Sequence, residues 1–259
     1  MEALKITTFQ AYLFWENKEK NLSNLALRLS SLQTYTDIII LPEMFNTGYT
    51  INVEKCAEEM NGPTMTWMKN HAVKFDCVVV GSLIIKEKSN YFNRLIWMRP
   101  DGTYEKYDKH HLFSLSDENS VFTAGNELIT VELKGWKIRP LICYDLRFPA
   151  WSRNRKGEFD ILLYVASWPD SRIEHWRQLI PARAIENQCF VIAVNRVGYD
   201  GNEVYHSGGS MCIGPSGEVV YYKPENEDLY TFTIYPKDLE ENREKFKFLD
   251  DADDFTFTS

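Results

Sequence analysis

The chain has 259 residues, 44% of them apolar, with 29 Lys and Arg set against 37 Asp and Glu for a formal charge of −8. A chain of this length buries roughly 70–75% of its unfolded surface, enough for a self-sufficient core, while the acidic balance lacks the basic stripe that a phosphate backbone demands, so nucleic acid is not an expected partner. Five cysteines, odd in number and with no C-x-x-C pair, exclude a disulfide framework and a zinc knuckle. No apolar run approaches the ~20 residues of a membrane span, and no basic-plus-apolar leader precedes the first strand, so a reduced cytoplasmic setting without membrane contact is expected.

In chain order, Leu4 to Gln10 reads as a strand, followed by a helix carrying Leu22, Leu25, Ala26, Leu29 and Leu32 at helical spacing. Ile38 to Leu41 is a short apolar run of the kind buried on both faces of a sheet, stopped by Pro42. Pro63 to Phe75 is helical and Val78 to Ile85 a strand; Pro100-Asp101-Gly102 turns a hairpin between Arg94–Met98 and Thr103–Tyr107. Lys134-Gly135 turns a second, between Val131–Leu133 and Trp136–Ile142. Ile161–Ala166, a helix over Trp176–Asn187, the strand Phe190–Val194 and a hairpin of Ser210–Ile213 with Glu218–Tyr222 complete the compact part. Strands and helices in alternation, mixed with hairpins, indicate α/β with one mixed sheet or two. The chain divides into a domain over 1–235 and an acidic, aromatic extension over 236–259, read either as a solvated end or as an arm on a second subunit.

Four buried strands end in polar or reactive residues: Glu43, Cys143, Ser167-Trp168 and Asn195. Ligands collect at such carboxyl ends because the loops there diverge. Cys143 is a candidate nucleophile, and Pro149 suits the first turn of a short helix whose positive end would favour the thiolate. Five histidines keep a Cys–His hydrolase open, but adjacent His110 and His111 diverge and lack metal-ligand spacing, so no metal is expected. Glu43, after a cis-capable Leu41-Pro42 step, and Lys109 offer another solution: a carboxylate that takes the thiol proton and a cation that stabilises thiolate and oxyanion.

These residues resemble the nitrilase, or carbon–nitrogen hydrolase, superfamily and its Glu–Lys–Cys triad. Leu41-Pro42-Glu43-Met44-Phe45 is similar to the glutamate motif, Tyr107-Asp108-Lys109-His110-His111-Leu112-Phe113 to the lysine motif, and Leu141-Ile142-Cys143-Tyr144-Asp145-Leu146-Arg147-Phe148-Pro149 to the cysteine motif. The wording through Asn154, with Ala166-Ser167-Trp168-Pro169, is closest to the omega-amidase branch, whose members hydrolyse the ω-amide of 2-oxo acid amides such as 2-oxoglutaramate. The resemblance implies a four-layer αββα sandwich, a homodimer, a small-molecule amide substrate, no cofactor, and a second supporting glutamate, here Glu118 or its neighbour Asp117. Gly209 departs from the pattern, since relatives often carry an acidic residue before the serine.

With Cys143 as nucleophile, Tyr144 would supply an oxyanion N–H and Arg147 would meet the substrate carboxylate, unless Arg147 pairs with Asp145 or Glu186. Phe113, Tyr49, Trp168 and His111 are candidates for the pocket wall. Hydrolysis of another aliphatic amide, a carbamoyl compound or a nitrile on the same triad is the competing reading; a non-catalytic binding module on the same fold is another.

Overall fold

The computed structural model describes residues 1–257. Its first half lays down β1 (Leu4–Gln10), α1 (Lys18–Leu29), β2 (Ile38–Ile40), α2 (Val53–Cys56), α3 (Pro63–Phe75), β3 (Val78–Glu87), β4 (Asn90–Met98) and β5 (Tyr104–Asp108). β1, β2 and β3 run parallel, linked by helical crossovers, and β3, β4 and β5 form an antiparallel meander. The second half carries α4 (Glu118–Val121), β6 (Val131–Leu133), β7 (Trp136–Ile142), β8 (Ile161–Val165), α5 (Ile173–Asn187), β9 (Phe190–Val194), β10 (Val197–Tyr199), β11 (Tyr205–Ile213) and β12 (Val219–Pro224). Here β7, β8 and β9 are parallel, and β11 pairs antiparallel with β9, β10 and β12. β13 (Asp228–Ile234) then crosses back and pairs antiparallel with β1, which closes one edge of the first sheet.

Strand alternation sorts the first sheet's side chains into two cores. Ile6, Ile38, Ile40, Val78 and Val80 turn towards the second sheet and share a core with Leu141, Leu163 and Ile192. Their neighbours Phe9, Ile39, Leu41 and Val79 turn the other way, onto Leu25 and Leu29 of α1 and Met65, Met68 and Ala72 of α3. On the far side of the second sheet lie α5, which seats Trp176, Ile180 and Ala184, and α6 (Pro236–Lys245), which seats Leu239. The layers are therefore helix, sheet, sheet, helix, the αββα sandwich expected from the resemblance.

Several sequence readings are corrected. The helix ends at Leu29, before Leu32, and the strand after Ile85 continues to Glu87 and turns directly into β4. α2, α4, β10, β13 and α6 have no counterpart in the sequence pattern. The Leu41–Pro42 peptide is trans, as are all peptides among the described residues. No helix starts at Pro149; a single 3-10 turn over Cys143–Arg147 begins at the cysteine itself. The extension is fastened to its own chain at several points, while the acidic run itself stays exposed. Arg243 Nη1 donates to Asp160 Oδ1 at 2.7 Å and its Nη2 to Phe159 O at 2.8 Å, while Arg155 Nη1 donates to Phe255 O at 2.9 Å and Lys156 pairs with Asp254 at 2.8 Å. The segment from 236 to 257 thus lies along its own chain, and Ser259 with its neighbour falls outside the described residues. No helix among them is long and apolar enough to cross a membrane.

Candidate active site

Parallel pairing within each sheet brings the carboxyl ends of β2, β7, β8 and β9 to one side of the sandwich. Glu43 follows β2, Cys143 follows β7 and Ser167 follows β8; Lys109 leaves β5 across the top of the first sheet. Three backbone positions beside this cluster are left-handed: Met44 at φ 45°, Asp117 at φ 58° and Cys143 at φ 42°. Each costs a non-glycine residue about 1–3 kcal/mol, so the surrounding packing must hold it. At Cys143 the tight turn swings the side chain off the strand end and into the cleft.

Lys109 Nζ sits between two carboxylates, 3.0 Å from Glu43 Oε1 and 2.9 Å from Glu118 Oε1, with all three side chains at most 1% exposed. Asn93 Nδ2 donates to the same Glu43 oxygen at 2.8 Å. The other oxygen, Oε2, accepts from the Ser167 backbone N–H at 2.8 Å. Glu118 Oε2 accepts the Phe113 N–H, which ties the lysine loop to the cluster. Asp117, the other candidate for the supporting acid, is exposed, and Glu118 is the one of the two that lies beside Lys109.

Burial raises the Glu118 carboxyl pKa, opposed chiefly by Lys109. For Lys109 burial pulls the opposite way, but the Glu118 and Glu43 carboxylates outweigh it and hold the ammonium charged. Burial first, and then the facing Glu43 carboxylate, pushes the Cys143 thiol well up; Lys109 offsets this only in part. The positive helix end expected beside Cys143 is absent, since the chain there forms only the short 3-10 turn Cys143–Arg147. A neutral thiol beside a carboxylate, with an ammonium alongside, can transfer its proton as it attacks and leave the cation free for an oxyanion.

A cavity of about 160 Å³ opens onto Cys143 and Lys109. Of the residues expected in its wall, Tyr49, Phe113, Tyr144, Arg147 and Trp168 are there; His111 is not. Its Nδ1 lies 2.8 Å from Asp145 Oδ1 and its ring stacks on Phe148 at 3.6 Å, which turns it into the protein. His110 stacks instead on Trp151, and the two imidazoles meet at 89°, so they share no ligand direction. Arg147 pairs with neither suggested acid. Asp145 receives the Tyr107 hydroxyl at 2.7 Å and the Ile142 N–H at 3.0 Å, and Glu186 pairs with Arg183 at 2.9 Å. Arg147 lies over Trp168 at 4.7 Å, with one nitrogen 3.1 Å from His175 Nδ1.

Sequence reasoning did not assign Asn93, Arg172 or Asp145 a part in this arrangement. Asp145 stands in the quoted cysteine motif and bonds both the cysteine turn and the lysine loop. Asn195 holds the next loop: its Oδ1 accepts from Trp168 N at 2.7 Å, and its Nδ2 donates to Trp168 O and Gly208 O. His206, on the far wall, has its pKa lowered to about 4 by burial and then by Arg196, which leaves it a neutral imidazole.

With this geometry in hand, the family comparison decides the assignment: the carbon–nitrogen hydrolase family model matches residues 5–244. The chain belongs to the carbon–nitrogen hydrolase family. Omega-amidase YafV of Escherichia coli K12 is 41% identical, over 98% of this chain and 99% of that protein. The 2-oxoglutaramate amidase of Bacillus subtilis is 34% identical, over 95% and 96%. Among solved structures, XC1258 from Xanthomonas campestris, a CN-hydrolase superfamily protein with an arsenic adduct in its active site, superposes with a TM-score of 0.97 at 40% identity and full coverage of both chains. This member of the family shares its fold with XC1258 along the whole chain.

Proposed function

We propose that the protein hydrolyses the ω-amide of 2-oxo dicarboxylic acid monoamides such as 2-oxoglutaramate, giving the 2-oxo dicarboxylic acid and ammonia. The observation that carries this reading is a half-buried thiol beside a buried carboxylate and ammonium, on a small cavity that Arg147 also lines with no acid of its own, in a chain similar over nearly its full length to proteins named for this activity.

In the first half-reaction the Cys143 sulfur attacks the amide carbon as its proton passes to Glu43. The carbonyl oxygen becomes an oxyanion held by Lys109 Nζ and the backbone N–H of Tyr144. The tetrahedral centre collapses when Glu43 returns the proton to the leaving nitrogen, so ammonia departs and a thioester remains on Cys143. In the second, Glu43 removes a proton from water, the hydroxide adds to the thioester carbon, and breakdown expels the sulfur, which recovers its proton from Glu43. Positioned proton transfer contributes roughly 10²–10⁴ and each oxyanion donor roughly 10²–10³ in rate. Glu118 serves as counter-charge and support for Lys109; removing either partner leaves a buried charge unpaired, a cost of about 3–5 kcal/mol.

Tyr49, Phe113 and Trp168 enclose the aliphatic part of the substrate and Arg147 meets its carboxylate through a bidentate pair. The reading carries a homodimer as well, with exposed Ile185 and Val219 as apolar surface for a second copy, and sedimentation would report its mass.

Steady-state kinetics with 2-oxoglutaramate, glutamine, pentanamide and pentanenitrile test the substrate. The anionic 2-oxo amide is expected to give the highest kcat/KM, by about tenfold or more, because a desolvated charge pair is worth that factor. A nitrile or a neutral amide in first place would overturn it.

A further inference from the structure

Above the catalytic cluster the cavity is lined by two guanidiniums, those of Arg147 and Arg172. Arg172 closes the 3-10 turn Asp170–Arg172 that leads into α5, and its position is fixed from several sides. Trp168 Nε1 donates to Arg172 O at 2.8 Å, Arg172 N donates to Pro169 O at 3.1 Å, and Trp168 is itself latched by Asn195. The Arg172 guanidinium stacks over Phe113 at 5.1 Å, as Arg147 stacks over Trp168. A guanidinium lying on an aromatic face keeps its N–H edges available to a ligand in its plane.

Neither arginine has a carboxylate within 4.0 Å among the described residues. Asp200, the acid of the cavity wall, is turned into its own loop, where Oδ1 accepts the N–H groups of Asn202 at 2.8 Å and Val204 at 3.0 Å. Two guanidiniums therefore line one cavity without a carboxylate counter-ion, and burial first, then the Arg172 charge, lowers the Arg147 pKa. Their mutual repulsion is relieved by an anion that both can reach. Hydrolysis of a plain amide or nitrile gives no use for such a pair.

We propose that Arg172 is a specificity-determining residue that reads the 2-oxo acid end of the substrate together with Arg147. Arg147 takes the carboxylate; Arg172 donates to the 2-oxo oxygen and the near carboxylate oxygen. The inference rests on the substrate reading above and deepens it in one direction. An α-amino acid amide such as glutamine carries an ammonium where the 2-oxo oxygen would lie, and Arg172 repels it. Arg172 thus selects oxo acid over amino acid as well as anion over neutral amide.

The test compares kcat/KM for 2-oxoglutaramate, glutamine and pentanamide in the wild type, Arg172→Met and Arg172→Lys. Methionine keeps an apolar stem against Phe113 without the charge. It is expected to lose about ten- to a hundredfold on 2-oxoglutaramate, mainly through KM, to lose far less on pentanamide, and to narrow the gap between 2-oxoglutaramate and glutamine. Lysine should recover part of the anion preference, lacking the planar fork. Equal losses on all three amides would reveal a packing role and overturn the assignment, as would an unchanged preference in Arg172→Met. A wild type that does not favour 2-oxoglutaramate over pentanamide would instead remove the substrate reading, and this inference with it.

Discussion

Burial and then the Glu43 carboxylate push the Cys143 thiol pKa well up, and the route proposed for it differs from that of enzymes that store a thiolate beside an imidazolium. A thiol whose pKa is raised above the ordinary value near 9 carries almost no thiolate at pH 7, so its proton must leave during attack. Ultraviolet thiolate absorbance, taken as wild type minus Cys143→Ala, should stay absent at neutral pH and emerge only on the alkaline side of an ordinary thiol's titration. A thiolate signal at neutral pH would place Cys143 in an ion pair and remove Glu43 as its base. Glu118 answers the same electrostatic demand. One ammonium between two buried acids keeps the lysine charged without leaving the cluster positive, and a lone lysine could not be sustained there.

At the scale of elements, short strands hold the site by close backbone approach. The loop after β2 is fastened to β3: Met44 N donates to Ser82 Oγ at 2.9 Å and Phe45 N to Ser82 O at 3.1 Å. Gly81 makes this possible, since a Cβ there would stand 2.6 Å from Phe45 Cδ1 and 3.0 Å from Leu41 Cβ. Gly81→Ala should therefore cost about 1–3 kcal/mol in thermal unfolding through overpacking. It should also lower kcat by about tenfold or more as Glu43 is displaced, because catalytic geometry tolerates less than 1 Å. Unchanged kcat in that variant would separate the Glu43 loop from Gly81. The strand ends were legible because apolar runs stop abruptly at Pro42, Cys143 and Ser167. The function of Asp145 was not: a buried acid inside a motif has the same letter whether it meets substrate or, as here, fastens Tyr107, His111 and Ile142. His111 misled for the converse reason, since adjacency to Lys109 does not fix which way a ring turns.

Across the whole molecule, two sheets with opposed apolar faces generate the cleft. Element order alone allowed one mixed sheet or two, because β1 to β13 pairing links residues more than 200 positions apart and leaves no local mark; the family resemblance supplied the layer count. The acidic tail was opaque for another reason. α6 is strongly polar, and its docking depends on Arg243 reaching Asp160 in a distant loop. Four cysteines, Cys56, Cys77, Cys189 and Cys212, are core residues, and burial pushes the Cys77 thiol up to about 12. A net charge of −8 does not draw an anion in, so attraction has to be local, at Lys109, Arg147 and Arg172. All of this converges on one sulfur. Ammonia release from 2-oxoglutaramate by Cys143→Ala, compared with wild type at equal circular dichroism and melting temperature, tests it most directly: a fall of at least about 10⁴ in kcat is expected, and a correctly folded variant within tenfold of wild type would contradict the thioester route.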